Sequence, residues 1–123
     1  MPTPSFTLAE ITIDCRDVSL VGGFWSALLG APLREPADLT GWLRLGPLTE
    51  GGPVVNFQPV PEAKDGKVRI HLDVLTDDLD AAVATVEGLG GRDLAQRHVY
   101  DVGTVAVMAD PEGHEFCLVA GNG

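Results

Sequence analysis

The chain has 123 residues, enough for one hydrophobic core and too few for two independent ones. Its 8 basic and 18 acidic side chains leave a formal charge of −10. That argues against nucleic acid, whose binding rests on basic patches, and fits plain solubility or a cationic ligand. Two cysteines, no apolar run of spanning length and no basic-then-apolar start exclude a disulfide framework, a membrane span and a secretory leader, so the expectation is a cytoplasmic protein.

Residues 1–7 form a short polar leader with two prolines. From Leu8 to Cys15 the chain alternates, with Ile11 and Ile13 on one face and Glu10, Thr12 and Asp14 on the other, which is the period of a half-buried strand. Asp17 is placed to cap a helix whose apolar stripe is Val18, Val21, Phe24, Trp25, Leu28 and Leu29, and Gly30 ends it. Short strands are expected near Pro32 to Arg34, Gly41 to Leu45 and Pro53 to Val60, with Glu50-Gly51-Gly52 as a turn. Pro59 to Lys67, rich in Pro, Gly and charge, reads as a linker.

The plan then repeats. Arg69 to Thr76 alternates as a strand, with His71, Asp73 and Leu75 facing opposite to Leu72 and Val74. Asp77 or Asp78 caps a helix with the stripe Leu79, Ala82, Val83, Val86 and Leu89, ended by Gly90-Gly91. Strands near Arg92 to His98, Thr104 to Met108 and Glu115 to Val119 follow, the last two joined by the Asp110-Pro111-Glu112-Gly113 turn. At a constant offset Ile11 meets Leu72, Ile13 meets Val74, Asp17 meets Asp78 and Gly30 meets Gly91, so one half-domain is written twice.

The fold expected is α+β: two βαβββ modules, about residues 8–60 and 68–120 of a single domain, with helices on the outer face of a cupped, mostly antiparallel sheet. Alternation lines the cup with Glu10, Thr12, Asp14, Trp42, Arg44, Asn56, Gln58, His71, Asp73, Met108, Glu115 and Cys117. So many polar groups do not make a second core; water, a ligand or a metal covers them. His71, with Asp73 two residues on and on the same face, is the leading chemical candidate, because a carboxylate fixes an imidazole's tautomer and raises its basicity. Trp42 and Arg44 are suited to stacking on and pairing with a planar or anionic ligand. His98 and His114 fall near turns and read as solvent-exposed, and Cys117 reads as a partly buried filler. Exposed sheet edges point to a homodimer, with the cleft either within one chain or between two.

Glu10 to Asp17, the Phe24-Trp25 to Leu28-Leu29-Gly30 helix end, His71-Leu72-Asp73, Asp77-Asp78-Leu79 and Asp110-Pro111-Glu112-Gly113-His114-Glu115-Phe116 together resemble the vicinal oxygen chelate superfamily, in its glyoxalase-like and bleomycin-resistance-like members. The resemblance implies a divalent ion (zinc, nickel, manganese or iron) in metal-dependent members, and none in drug-sequestering ones. The family's ligand positions fall here on Glu10, His71, Cys117 and either Asn56 or Gln58, so that Glu10, His71 and Gln58 form the expected metal set. Metal-active members mostly offer His and Glu at these places, and an amide and a thiol depart from that pattern. Two functions follow. One is a lyase, isomerase or dioxygenase-type enzyme, with His71 and Asp73 catalytic and Glu10, Asp14, Trp42, Arg44, Asn56, Gln58 and Cys117 around a small-molecule substrate. The other is a non-catalytic protein that sequesters a cationic drug.

Overall fold

The structure, a computed structural model, describes residues 4–121; the first three residues of the polar leader lie outside it, as do the last two of the chain. The first module comprises β1 (Glu10–Cys15), α1 (Val18–Leu29), β2 (Leu33–Arg34), β3 (Leu43–Leu45) and β4 (Val54–Pro59). The second comprises β5 (Asp73–Thr76), α2 (Leu79–Gly88), β6 (Arg92–Tyr100), β7 (Gly103–Ala109) and β8 (Glu115–Gly121). Each module builds its own four-stranded sheet, ordered β1-β4-β3-β2 and β5-β8-β7-β6. In each, one parallel pair, β1 with β4 or β5 with β8, joins antiparallel neighbours. No helix among the described residues is long and apolar enough to cross a membrane.

Both helices begin where a carboxylate meets free amides. Leu20 N–H donates to Asp17 Oδ1 at 3.0 Å, and Ala81 N–H to Asp78 Oδ1 at 3.1 Å, so Asp78 rather than Asp77 is the second cap. Gly30, at φ 65°, takes the left-handed turn that ends α1. The sequence expectation of a strand from Arg69 is corrected: regular pairing begins only at Asp73, although Cys117 N–H still donates to Leu72 O at 2.9 Å.

The core is shared between the modules. Val21, Phe24 and Trp25 of α1, Leu45, Val55 and Phe57 of the first sheet, Val86 of α2, and Ala106, Met108, Phe116 and Leu118 of the second sheet form one buried cluster. Met108 is thus a core residue and not a cup residue; its neighbours Val105 and Val107 take the opposite face. Phe24, Trp25 and Phe116 pack edge to face, with centroids 4.7 to 6.0 Å apart. A Cβ on Gly91 would stand 2.6 Å from Val86, 2.7 Å from the Ala109 carbonyl and 3.1 Å from the Phe24 ring, so glycine is what lets the modules close here.

Candidate functional site

The concave face of the second sheet carries a cavity of about 530 Å³. Its floor is Val105, Val107 and Val119, and one wall is His71, Asp73 and Cys117. Register explains the wall: Asp73 stands directly opposite Cys117 across the parallel β5–β8 pair, and His71 precedes Asp73 by one strand repeat. The imidazole, carboxylate and thiol offer ligand atoms that all lie within 4.8 Å of one another. His71 Nε2 is 3.2 Å from Asp73 Oδ1. Burial pushes the Cys117 thiol up, the Asp73 charge adds to that, and Lys67 opposes it, so the thiol keeps its proton in the free protein.

A nitrogen, an oxygen and a sulfur donor fit a borderline-soft divalent ion. Around a tetrahedral ion such donors stand roughly 3.4 to 3.8 Å apart, so the three would draw together slightly from separations of up to 4.8 Å. The His71 and Asp73 side chains are 51% and 60% exposed, which leaves both free to turn toward an ion.

The other wall was not legible in the sequence. Gln96, His98 and Tyr100 of β6 face this same cavity, so His98 is a lining residue and not only a group near a turn. A bulge between Asp93 and Gln96 sets their position along the sheet: Gln96 stands opposite Val107, where an unbroken ladder would place Leu94, and the two-residue shift leaves the facing of the strand unchanged. Ala95 sits in it at φ 59°, held by a 2.9 Å bond from its N–H to Asp93 Oδ1. The Arg97 guanidinium, with help from that Ala95 amide, holds the Asp93 carboxyl down at about 2.

The first sheet's concave residues form a separate group. Arg44 donates from Nε to Asn56 Oδ1 at 2.8 Å and from its terminal nitrogen to Glu10 Oε1 at 2.9 Å. Asn56 is fully buried and its Nδ2 has no hydrogen-bond partner among the described residues. Thr12 pairs with Asn56 and Asp14 with Gln58 in the β1–β4 register, and Trp42 is half-buried just before β3. Glu10 and Gln58 therefore stand on the first sheet, outside the cavity that His71 lines, and the acidic and thiol donors beside His71 are Asp73 and Cys117.

His114 also departs from expectation. Its Nδ1 is 2.8 Å from Asp110 and its Nε2 3.0 Å from the Asp14 carbonyl, leaving the side chain only 15% exposed. Burial alone would lower its pKa, but the Asp110 carboxylate and the Asp14 carbonyl outweigh this and raise it. In the same turn Glu112 accepts from the Arg16 and Asp17 amides at 2.8 and 2.6 Å. The Asp110–Glu115 turn is therefore a clasp between modules.

Paired βαβββ modules with polar concave faces and outer helices define the glyoxalase-like class. The sequence profile of the glyoxalase-like domain matches residues 10–119, and the chain belongs to that family, within the vicinal oxygen chelate superfamily. No functionally curated protein matches the chain. Among solved structures, a glyoxalase/bleomycin resistance protein/dioxygenase family enzyme from Burkholderia phytofirmans superposes with TM-score 0.72 at 17% identity, covering 92% of this chain and 97% of that one. The fosfomycin resistance protein FosX from Mesorhizobium loti gives 0.69 at 18%, with 94% and 92% covered. A hypothetical protein from S. aureus gives 0.70 at 16%, with 94% and 96% covered. At these identities the likeness is one of fold.

Proposed function

We propose that the protein binds a small oxygen-bearing organic molecule on the concave face of its second module, at a divalent ion held by His71, Asp73 and Cys117, and acts on it as a lyase, isomerase or dioxygenase-type enzyme. The observation that carries this reading is the convergence of three different ligand atoms within 4.8 Å at the wall of an apolar-floored cavity. Such an ion, when bound, polarises ligand oxygens and stabilises developing negative charge. The chain's own residues supply the rest. Asp73 against Nε2 of His71 fixes the imidazole tautomer and leaves Nδ1 as the nitrogen that would face the ion, while without an ion the same nitrogen would accept a substrate proton. Val105, Val107 and Val119 exclude water from the ligand's apolar part, and Gln96, His98 and Tyr100 offer hydrogen bonds at its far end.

The experiment is metal analysis of the purified protein, repeated on His71→Ala. One ion per chain, lost in the variant, supports the reading. Metal-free protein that instead binds a basic glycopeptide saturably supports the alternative of drug sequestration, which the charge of −10 favours.

Two further expectations belong to this proposal. The cysteines are both free, which suits the reducing cytoplasm. A homodimer is supported by β6, a long edge strand whose Val99 is 78% and whose neighbouring Val102 is 83% exposed. Val99→Lys should then convert a dimer into a monomer in sedimentation experiments.

A further inference from the structure

We propose that the fissure between the two modules is a second binding site, for a small molecule with an apolar body and a single ammonium group. It does not depend on the His71 cluster. The fissure lies beneath residues 60–70, which cross from β4 to β5, and encloses about 380 Å³. That volume is in the range of small-ligand pockets. It exists because β1 and β5 are edge strands of separate sheets, so no backbone ladder closes the gap between them. Ile11 and Ile13 of β1, Trp25 of α1, and Leu72 and Phe116 from the second module form its walls.

The segment from Lys67 to Asp73 divides this fissure from the concave-face cavity. Its alternate residues serve one or the other: Lys67, His71 and Asp73 line the concave face, while Val68, Ile70 and Leu72 line the fissure. The two sites are therefore neighbours with different chemistry. One is polar-walled and metal-competent, the other an apolar slot.

Charge at the mouth selects the ligand's polar group. Lys64 pairs with Glu115 at 2.9 Å and the two cancel. Asp14 and Glu62 also border the slot, and neither carboxylate has a hydrogen-bond or ion-pair partner among the described residues. Two uncompensated carboxylates beside an apolar slot, on a chain of charge −10, favour a cation and repel an anion. The Trp25 and Phe116 rings, paired with each other 4.7 Å apart and almost wholly buried, close the back of the slot and give it a rigid apolar base.

Calorimetric titration with naphthylmethylammonium and with its neutral counterpart naphthylmethanol tests this. The ammonium probe should bind at one site per chain, about tenfold tighter than the alcohol. Ala63→Trp, at an exposed position that borders the slot, should abolish binding of both probes by filling the space. The volume-neutral pair Asp14→Asn and Glu62→Gln should bring the ammonium probe down to the affinity of the alcohol and leave the alcohol unchanged. His71→Ala should leave both affinities as they were. Absence of saturable binding, indifference to Ala63→Trp in a variant that melts cooperatively, or loss of binding in His71→Ala would each overturn the proposal; the last would put the probe on the concave face.

Discussion

Trp25 Nε1 donates to Asp110 Oδ2 at 3.1 Å, joining residues 85 positions apart in the chain. The bond ties the first module's helix to the second module's final turn. Asp110 is 1% exposed, and its carboxylate also accepts from the Glu112 and His114 amides and meets the His114 ring. A buried carboxylate with this many donors organises the junction, because each donor loses its water as the modules close.

Trp25→Phe keeps an aromatic ring but removes the donor and part of the buried indole. It should lower unfolding stability by about 1–3 kcal/mol in urea titrations. Asp110→Ala strands every donor at once and should cost about 3–5 kcal/mol, the scale for breaking a buried charged network. Equal stability of Trp25→Phe and the parent chain would show that the bond does not hold the modules together.

The clasp should also be pH-sensitive. The folded pKa of His114 is raised, so its contribution is fully present below the ordinary value of 6.5 and is lost as pH rises through the higher folded value. Groups elsewhere in the chain also titrate, so the informative quantity is the stability difference between the parent chain and His114→Gln. That difference should shrink from pH 5.5 to pH 8.5; a constant difference would mean that the ring's charge plays no part.

The two thiols should behave differently. Cys15 is buried, and burial together with the nearby Glu112, Asp110, Asp14 and Asp17 charges pushes its pKa up to about 12. Cys117 is half-buried in the concave-face cavity. Iodoacetamide should therefore label Cys117 in the native protein slowly, because that thiol also keeps its proton, and reach Cys15 only after unfolding, as peptide mass mapping would show. Prior addition of zinc should protect Cys117.

Ala95 holds a positive φ that glycine adopts without a Cβ clash. Ala95→Gly should preserve the bulge and raise the unfolding midpoint slightly, by about 0.5–1 kcal/mol of stability. A loss of stability would mean that the Ala95 methyl contributes more than its backbone conformation costs.

Local signals carried most of the fold. The Asp17 and Asp78 caps, the helical stripes and the doubled order of elements are short-range patterns, and each describes the structure. Period-two alternation put His71 and Asp73 on one face even though pairing starts only at Asp73. What the sequence withheld depends on contacts between distant segments. Nothing around Ala95 announces a bulge, yet the bulge decides which residues of β7 stand opposite Gln96 and His98 at the cavity wall. His114 looked like a turn residue because its partner carbonyl, on Asp14, lies 100 positions away. Family spacing selected Glu10 and Gln58 beside His71, whereas the structure groups His71 with Asp73 and Cys117; which sheet faces a cavity is settled by module packing and not by spacing along either strand.

Cobalt substitution tests the metal-binding claim most directly, because a thiolate bound to cobalt(II) absorbs in the near ultraviolet and no other donor in the cluster does. One equivalent of cobalt should produce this band, Cys117→Ser should remove it while retaining weaker visible bands, and His71→Ala should weaken cobalt binding. Cobalt that binds with no thiolate band, or that binds equally well in both variants, would contradict a centre built from His71, Asp73 and Cys117.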